Sequence, residues 1–157
     1  MRPAFAVRLA RPDDPQVRSL LAIHLAGMQE SSPPAAVFAL DLTGLSAPEV
    51  TLWAVWASDG RIAAMGAMKI LGEGHAEVKS MRTHPDFLRQ GAAVLLLETI
   101  IDAARERKIT RLSLETGRGE AFEPALALYR RHGFEPCEPF ADYPPNDFSQ
   151  FMRLELE

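Results

Sequence analysis

Cysteine is almost missing from this chain. Cys137 stands alone among 157 residues, so no internal disulfide can form, and no cysteine and histidine cluster has metal-ligand spacing. Positive charge is also scarce: 17 Lys and Arg against 21 Asp and Glu leave a net charge of -4. That balance lacks the basic surface that draws proteins to nucleic acid phosphates or anionic lipid. Long apolar runs are absent too, and the opening stretch through Asp14 is too short and too interrupted by arginine to read as a signal peptide or membrane anchor. No repeat, linker or low-complexity tract occurs. These absences point to a reducing cytoplasmic setting, with no metal, no nucleic acid and no membrane as partner.

What remains is an ordinary globular composition, 47% hydrophobic and 24% charged. The length predicts one domain over residues 1–157, large enough for a continuous core. Alternation predicts a strand over Phe5–Leu9, then Pro12 to Pro15 supplies turn chemistry and a helix start. The helix is expected from Gln16 to about Leu25, with Val17, Leu20, Leu21, Ile23 and Ala26 as its apolar positions. A short helix is expected over Ala35 to Leu40, and an acceptor-facing loop over Asp41 to Pro48. Three consecutive antiparallel strands follow, over Thr51–Ala57, Arg61–Leu71 and His75–Thr83, because each connecting turn is too short for a crossover. Strict alternation along the third puts His75, Glu77, Lys79 and Met81 on one face. A long helix over Ala92–Arg107, a strand over Ile109–Glu115, a helix over Phe122–His132 closed by Gly133, a strand from Phe134 and a last strand over Ser149–Leu156 complete the chain.

The stretch from Met81 to Ala93 runs from a strand through a loop into the start of the long helix. A helix's first turn leaves backbone N–H groups unpaired and carries partial positive charge, so a phosphate docks there favourably. Gly91, Ala92 and Ala93 keep side chains clear of that position, and Arg89 adds a planar fork suited to phosphate oxygens. The plainer alternative is that Gly91 relaxes a turn and the alanines pack the helix on the sheet. The segment is neither a Walker loop nor a full dinucleotide fingerprint.

Leu88-Arg89-Gln90-Gly91-Ala92-Ala93 resembles the acyl-CoA pyrophosphate loop of the GNAT superfamily of N-acetyltransferases, with Leu88 where that pattern has Gln or Arg. Ala125-Leu126-Ala127-Leu128-Tyr129-Arg130-Arg131-His132-Gly133-Phe134 resembles the same superfamily's A-x-x-L-Y-x-x-x-G-F signature, with Phe122 where an Asn is common. The element order fits across the whole chain, and several short strings resemble a bacterial branch of acetyltransferases. The resemblance implies an α/β (α+β) fold: a mixed, largely antiparallel central sheet of about six to seven strands with about four flanking helices. It implies acetyl-CoA as cosubstrate, an amine on a small molecule or peptide as acceptor, and direct transfer in a ternary complex. A homodimer is compatible with enzymes of this size.

The resemblance also carries residue roles. Met81, Arg82 and Thr83 supply backbone groups to the pantetheine arm, and Arg89, Gln90, Gly91, Ala92 and Ala93 form the diphosphate loop. Tyr129 protonates the departing thiolate; the alternative is a core tyrosine. An alkyl ammonium titrates near about 10, so a base must take its proton before attack. Glu77 is the candidate for that base; the alternative is an ion pair with Lys79. His24, His75 and Tyr143 are candidates for acceptor contact. A non-catalytic acyl-CoA binding or sensing domain is the rival reading.

Overall fold

The computed structural model describes residues 4–36 and 40–156. Seven strands form one sheet in the order β1-β2-β3-β4-β5-β7-β6: β1 Phe5–Leu9, β2 Val50–Ala57, β3 Ile62–Gly72, β4 His75–Thr83, β5 Arg111–Thr116, β6 Glu135–Pro136 and β7 Gln150–Glu155. The four α-helices are α1 Pro15–Ser31, α2 Leu42–Leu45, α3 Ala92–Glu106 and α4 Glu123–Arg131. Every strand pairing is antiparallel except β4 with β5, so the expected mixed, largely antiparallel sheet is observed.

The sheet separates two cores. On one side Val17, Leu20 and Leu21 of α1 pack on Leu52, Ala54, Met65 and Ala67. On the other, Leu96, Leu97, Ile100 and Ile101 of α3 and Leu126, Leu128 and Tyr129 of α4 pack on Val55, Ala64, Met68 and Val78. Helix α1 starts at Asp14, whose carboxylate accepts from Gln16 N and Val17 N at 2.8 and 3.3 Å. The Gln16 side chain then bridges to the β2–β3 hairpin, donating to Gly60 O and accepting from Ile62 N, each at 2.9 Å.

Five expectations need correction. Helix α1 continues through Gly27 to Ser31, because its inward face, Val17, Leu20, Leu21 and His24, is held against the sheet. Ile23 and Ala26 point outward, and His24 occupies the next core position. The short helix expected over Ala35 to Leu40 is a 3-10 turn over Pro34–Ala36, with positions 37–39 outside the described residues. The segment expected as a loop over Asp41 to Pro48 contains α2, nucleated by Asp41, whose side chain accepts from Gly44 N at 2.8 Å. The strand after Gly133 pairs over only Glu135 and Pro136, with Cys137 N adding one bond to Phe151 O at 2.9 Å before Pro139, which has no N–H to donate.

The fifth correction matters most for the site. Against β3, Lys79 stands opposite Ala67 while Arg82 stands opposite Met65, so three steps of β4 cover two of β3. This is a β-bulge, and Ser80 sits in it at φ 59°. Cross-strand partners share a face, so Glu77, Lys79 and Arg82 face the α1 side, while Met81 turns under α3 against Gly66. Strict alternation predicted the reverse for Met81 and Arg82.

Candidate active site

Strands β4 and β5 pair over only three residues, His75–Glu77 against Arg111–Ser113. Beyond them β4 continues to Thr83 and β5 to Thr116 without pairing, so the sheet forks. A fork of this kind leaves strand-edge amides and carbonyls open to an extended amide-bearing ligand. Ser80 lies along it, buried, with a hydroxyl that has no hydrogen-bond partner among the described residues.

The α3 start lies just after the β4 end. Gly91 is its N-cap in the left-handed conformation, with φ 92°, and no side chain caps the helix. A Cβ built on Gly91 would meet nothing within 4 Å, and residues 88–91 are exposed. Arg89 also has a positive φ, 59°, which folds the loop back so that the Gln90 side chain reaches Asp86 O at 3.4 Å. The first-turn amides of a 15-residue helix are therefore uncapped, next to a fork with open strand edges. Coenzyme A, a diphosphate carrying an amide-rich arm, fits these two features together.

On the α1 face of the fork, Glu77 is buried at 3% exposure. Its Oε2 accepts from Lys79 Nζ at 3.2 Å and from the Tyr143 hydroxyl in a short hydrogen bond. Its Oε1 makes no hydrogen bond among the described residues. The Lys79 ion pair considered from sequence is thus real, but it engages one oxygen and leaves the other available. Lys79 also donates to the Tyr143 hydroxyl. Burial, then the Glu77 charge, pushes the Tyr143 phenol far up, so it stays protonated and keeps donating.

Tyr143 belongs to the segment between β6 and β7, which Asn146 holds in shape. The Asn146 side chain accepts from Phe148 N and Ser149 N at 2.9 and 2.7 Å and donates to Ser149 Oγ at 3.1 Å. Phe140 packs edge-on against Tyr143, Phe151 and His75, which places this segment over the Glu77 face. His75 bonds Ser113 Oγ through Nε2 at 2.8 Å, and burial lowers its pKa. It closes the base of the fork.

Glu115 was not singled out from sequence. It lies two residues beyond Ser113, the partner of Glu77, and so faces the same side across the fork. Burial raises its pKa, partly offset by a hydrogen bond to Ser149 and the Lys79 charge. No pattern in the sequence marks it, because its neighbour is set by sheet order.

Tyr129 lies apart from this cluster, in the α3-side core, with its ring 5.7 Å from Phe134. Burial, then the Glu115 charge, pushes its phenol well above the ordinary range. Its hydroxyl makes no hydrogen bond among the described residues. His24 joins a third group: Arg82 Nε donates to its Nδ1 at 3.0 Å, and burial, then the Arg82 charge, pushes its pKa down to about 4. His24 is therefore neutral. Among the described residues no group of three or more His, Cys, Asp or Glu could hold a metal ion.

An open sheet forked beside an uncapped helix start defines the acyl-CoA N-acyltransferase class. The family comparison agrees: the sequence model of the acetyltransferase (GNAT) family matches residues 17–134. The chain is 44% identical over 152 residues to the uncharacterized N-acetyltransferase YedL of Escherichia coli K12, covering 97% of this chain and 95% of that protein. It is 48% identical over 141 residues to the uncharacterized N-acetyltransferase YsnE of Bacillus subtilis, covering 90% and 93%. A Klebsiella pneumoniae structure described as an acyl-CoA N-acyltransferase superposes with a TM-score of 0.83 at 30% identity, over 98% of each chain. The chain belongs to the GNAT acetyltransferase family, and it is an acyl-CoA-dependent N-acetyltransferase.

Proposed function

We propose that this enzyme moves an acetyl group from acetyl-CoA directly to the amine of a small molecule or peptide, in a ternary complex and in the cytoplasm, with Glu77 as base. The observation that carries the reading is the fork itself: Glu77 stands where β4 leaves β5, with Oε2 anchored and Oε1 open. Acetyl-CoA supplies an acyl group already activated as a thioester.

In this reading Gln90 to Ala93 present backbone amides to the diphosphate, Arg89 adds charge, and Met81, Arg82 and Thr83 offer strand-edge groups to the pantetheine arm. A backbone N–H at the fork polarises the acyl carbonyl. Lys79 and Tyr143 orient the Glu77 carboxylate, so the free oxygen faces the incoming ammonium and takes its proton. The buried Tyr129 phenol holds its proton throughout the working range and donates to the departing sulfur.

The test is thiol release from acetyl-CoA across an amine panel. Glu77→Gln should lower kcat by about 100-fold or more near neutral pH, with less loss at high pH, where the free amine exists without a base. Tyr129→Phe should lower kcat and leave acetyl-CoA affinity within about twofold. If both variants and the wild type bind acetyl-CoA yet none releases thiol, a non-catalytic acyl-CoA binding domain is the correct account.

A further inference from the structure

Arg82 is a half-buried cation without a counter-ion among the described residues. No carboxylate lies within ion-pair distance of its guanidinium among the described residues. Burial is the cause that lowers its pKa, and no anion opposes it. Positions 1–3 and 37–39 are Met, Arg, Pro, Val, Phe and Ala, none of which has a side-chain carboxylate. Burying a charge unpaired is costly, so an uncompensated guanidinium at a ligand cleft is poised for an anion.

The surroundings hold that guanidinium in place. The bulge at Ser80 turns Arg82 onto the α1 face, in line with Glu77 and Lys79. His24 accepts from Nε at 3.0 Å, which fixes the plane of the fork, and among the described residues both terminal nitrogens make no hydrogen bond. Gly27 makes room for them: a Cβ there would lie 3.1 Å from NH2 and 3.4 Å from NH1. The neighbouring cation Lys79 is already matched to Glu77. A planar fork with two free N–H edges matches a carboxylate.

We infer that Arg82 is the specificity anchor of the acceptor site and that the acceptor is an amine that also carries a carboxylate. The inference rests on the acetyl-transfer reading above. The carboxylate docks on the terminal nitrogens of Arg82 while the amine lies toward Glu77, on the same face of β4. Its backbone role in the donor site is separate, since the side chain points to the α1 side.

The experiment uses the whole chain, acetyl-CoA, and a panel of α-amino acids and ω-amino acids, each beside its carboxamide and its decarboxylated amine. Wild type should favour carboxylate-bearing members by about tenfold or more in kcat/KM, the range set by one charged hydrogen-bonded contact. Arg82→Gln should erase that preference by raising KM for the acids, leaving KM for acetyl-CoA within about twofold. Arg82→Lys should restore part of it, since charge returns without the fork. Equal use of acids and amides by the wild type would overturn the inference, as would thiol release from no panel member. So would a rise confined to the acetyl-CoA KM, which would assign the guanidinium to a donor phosphate. A wild type whose melting temperature acetyl-CoA leaves unmoved would instead sink the underlying reading.

Discussion

Histidine 24 shows how one side chain can occupy a core position and still serve a polar site. It takes an inward place on α1 next to Leu20 and Leu21, yet it is neutral because burial and Arg82 both oppose its proton. The unfolded chain protonates this imidazole near 6.5, whereas the folded protein resists until about 4. The unfolded state therefore binds more protons between those values, and stability falls as the pH falls through that window. The contribution is complete above about pH 6.5 and is lost by about pH 4. Urea unfolding should show wild type losing about 3 kcal/mol more across this range than His24→Asn, which keeps an acceptor for Arg82 but cannot titrate. Parallel curves for the two proteins would refute the assignment. Tyr143 was singled out in sequence as a candidate for acceptor contact, not as a partner of Glu77. Its pairing with Glu77 could not be read there, because 65 residues separate them in the chain and loop closure alone joins them.

At the scale of elements, the start of α3 and the bulge of β4 do most to shape the site. Gly91 adopts φ 92°, a conformation that costs alanine about 1 kcal/mol, and the space where its Cβ would sit is open. Gly91→Ala should lower the denaturation midpoint only modestly, since the added methyl meets no protein atom. It should weaken acetyl-CoA binding more if, as proposed, the diphosphate docks at this helix start, because the methyl would project into that open space. Titration of melting temperature against acetyl-CoA separates the two effects, and unchanged affinity would move the diphosphate elsewhere. The bulge at Ser80 has no comparable marker. A serine at positive φ carries no sequence signature, so alternation through Lys79 placed Met81 on the wrong face.

For the whole molecule, binding and stability are linked by mass action. Acetyl-CoA at about 100 times its Kd should stabilise the fold by about 2.7 kcal/mol and raise the melting temperature accordingly, with ATP and NAD giving no comparable rise. Element order, the glycine-opened helix and the strand-turn-strand run were legible from the chain because each rests on local periodicity or turn chemistry. So were Glu77, Tyr129 and the diphosphate loop as candidates, through short motifs beside those elements. What tertiary structure alone decided is which groups meet across the fork: Glu77 with Tyr143, Glu115 opposite it, and Arg82 with His24 and Gly27. Those meetings depend on sheet order, on a register shift of one residue and on the closure of distant loops, and none of these leaves a periodic trace in sequence.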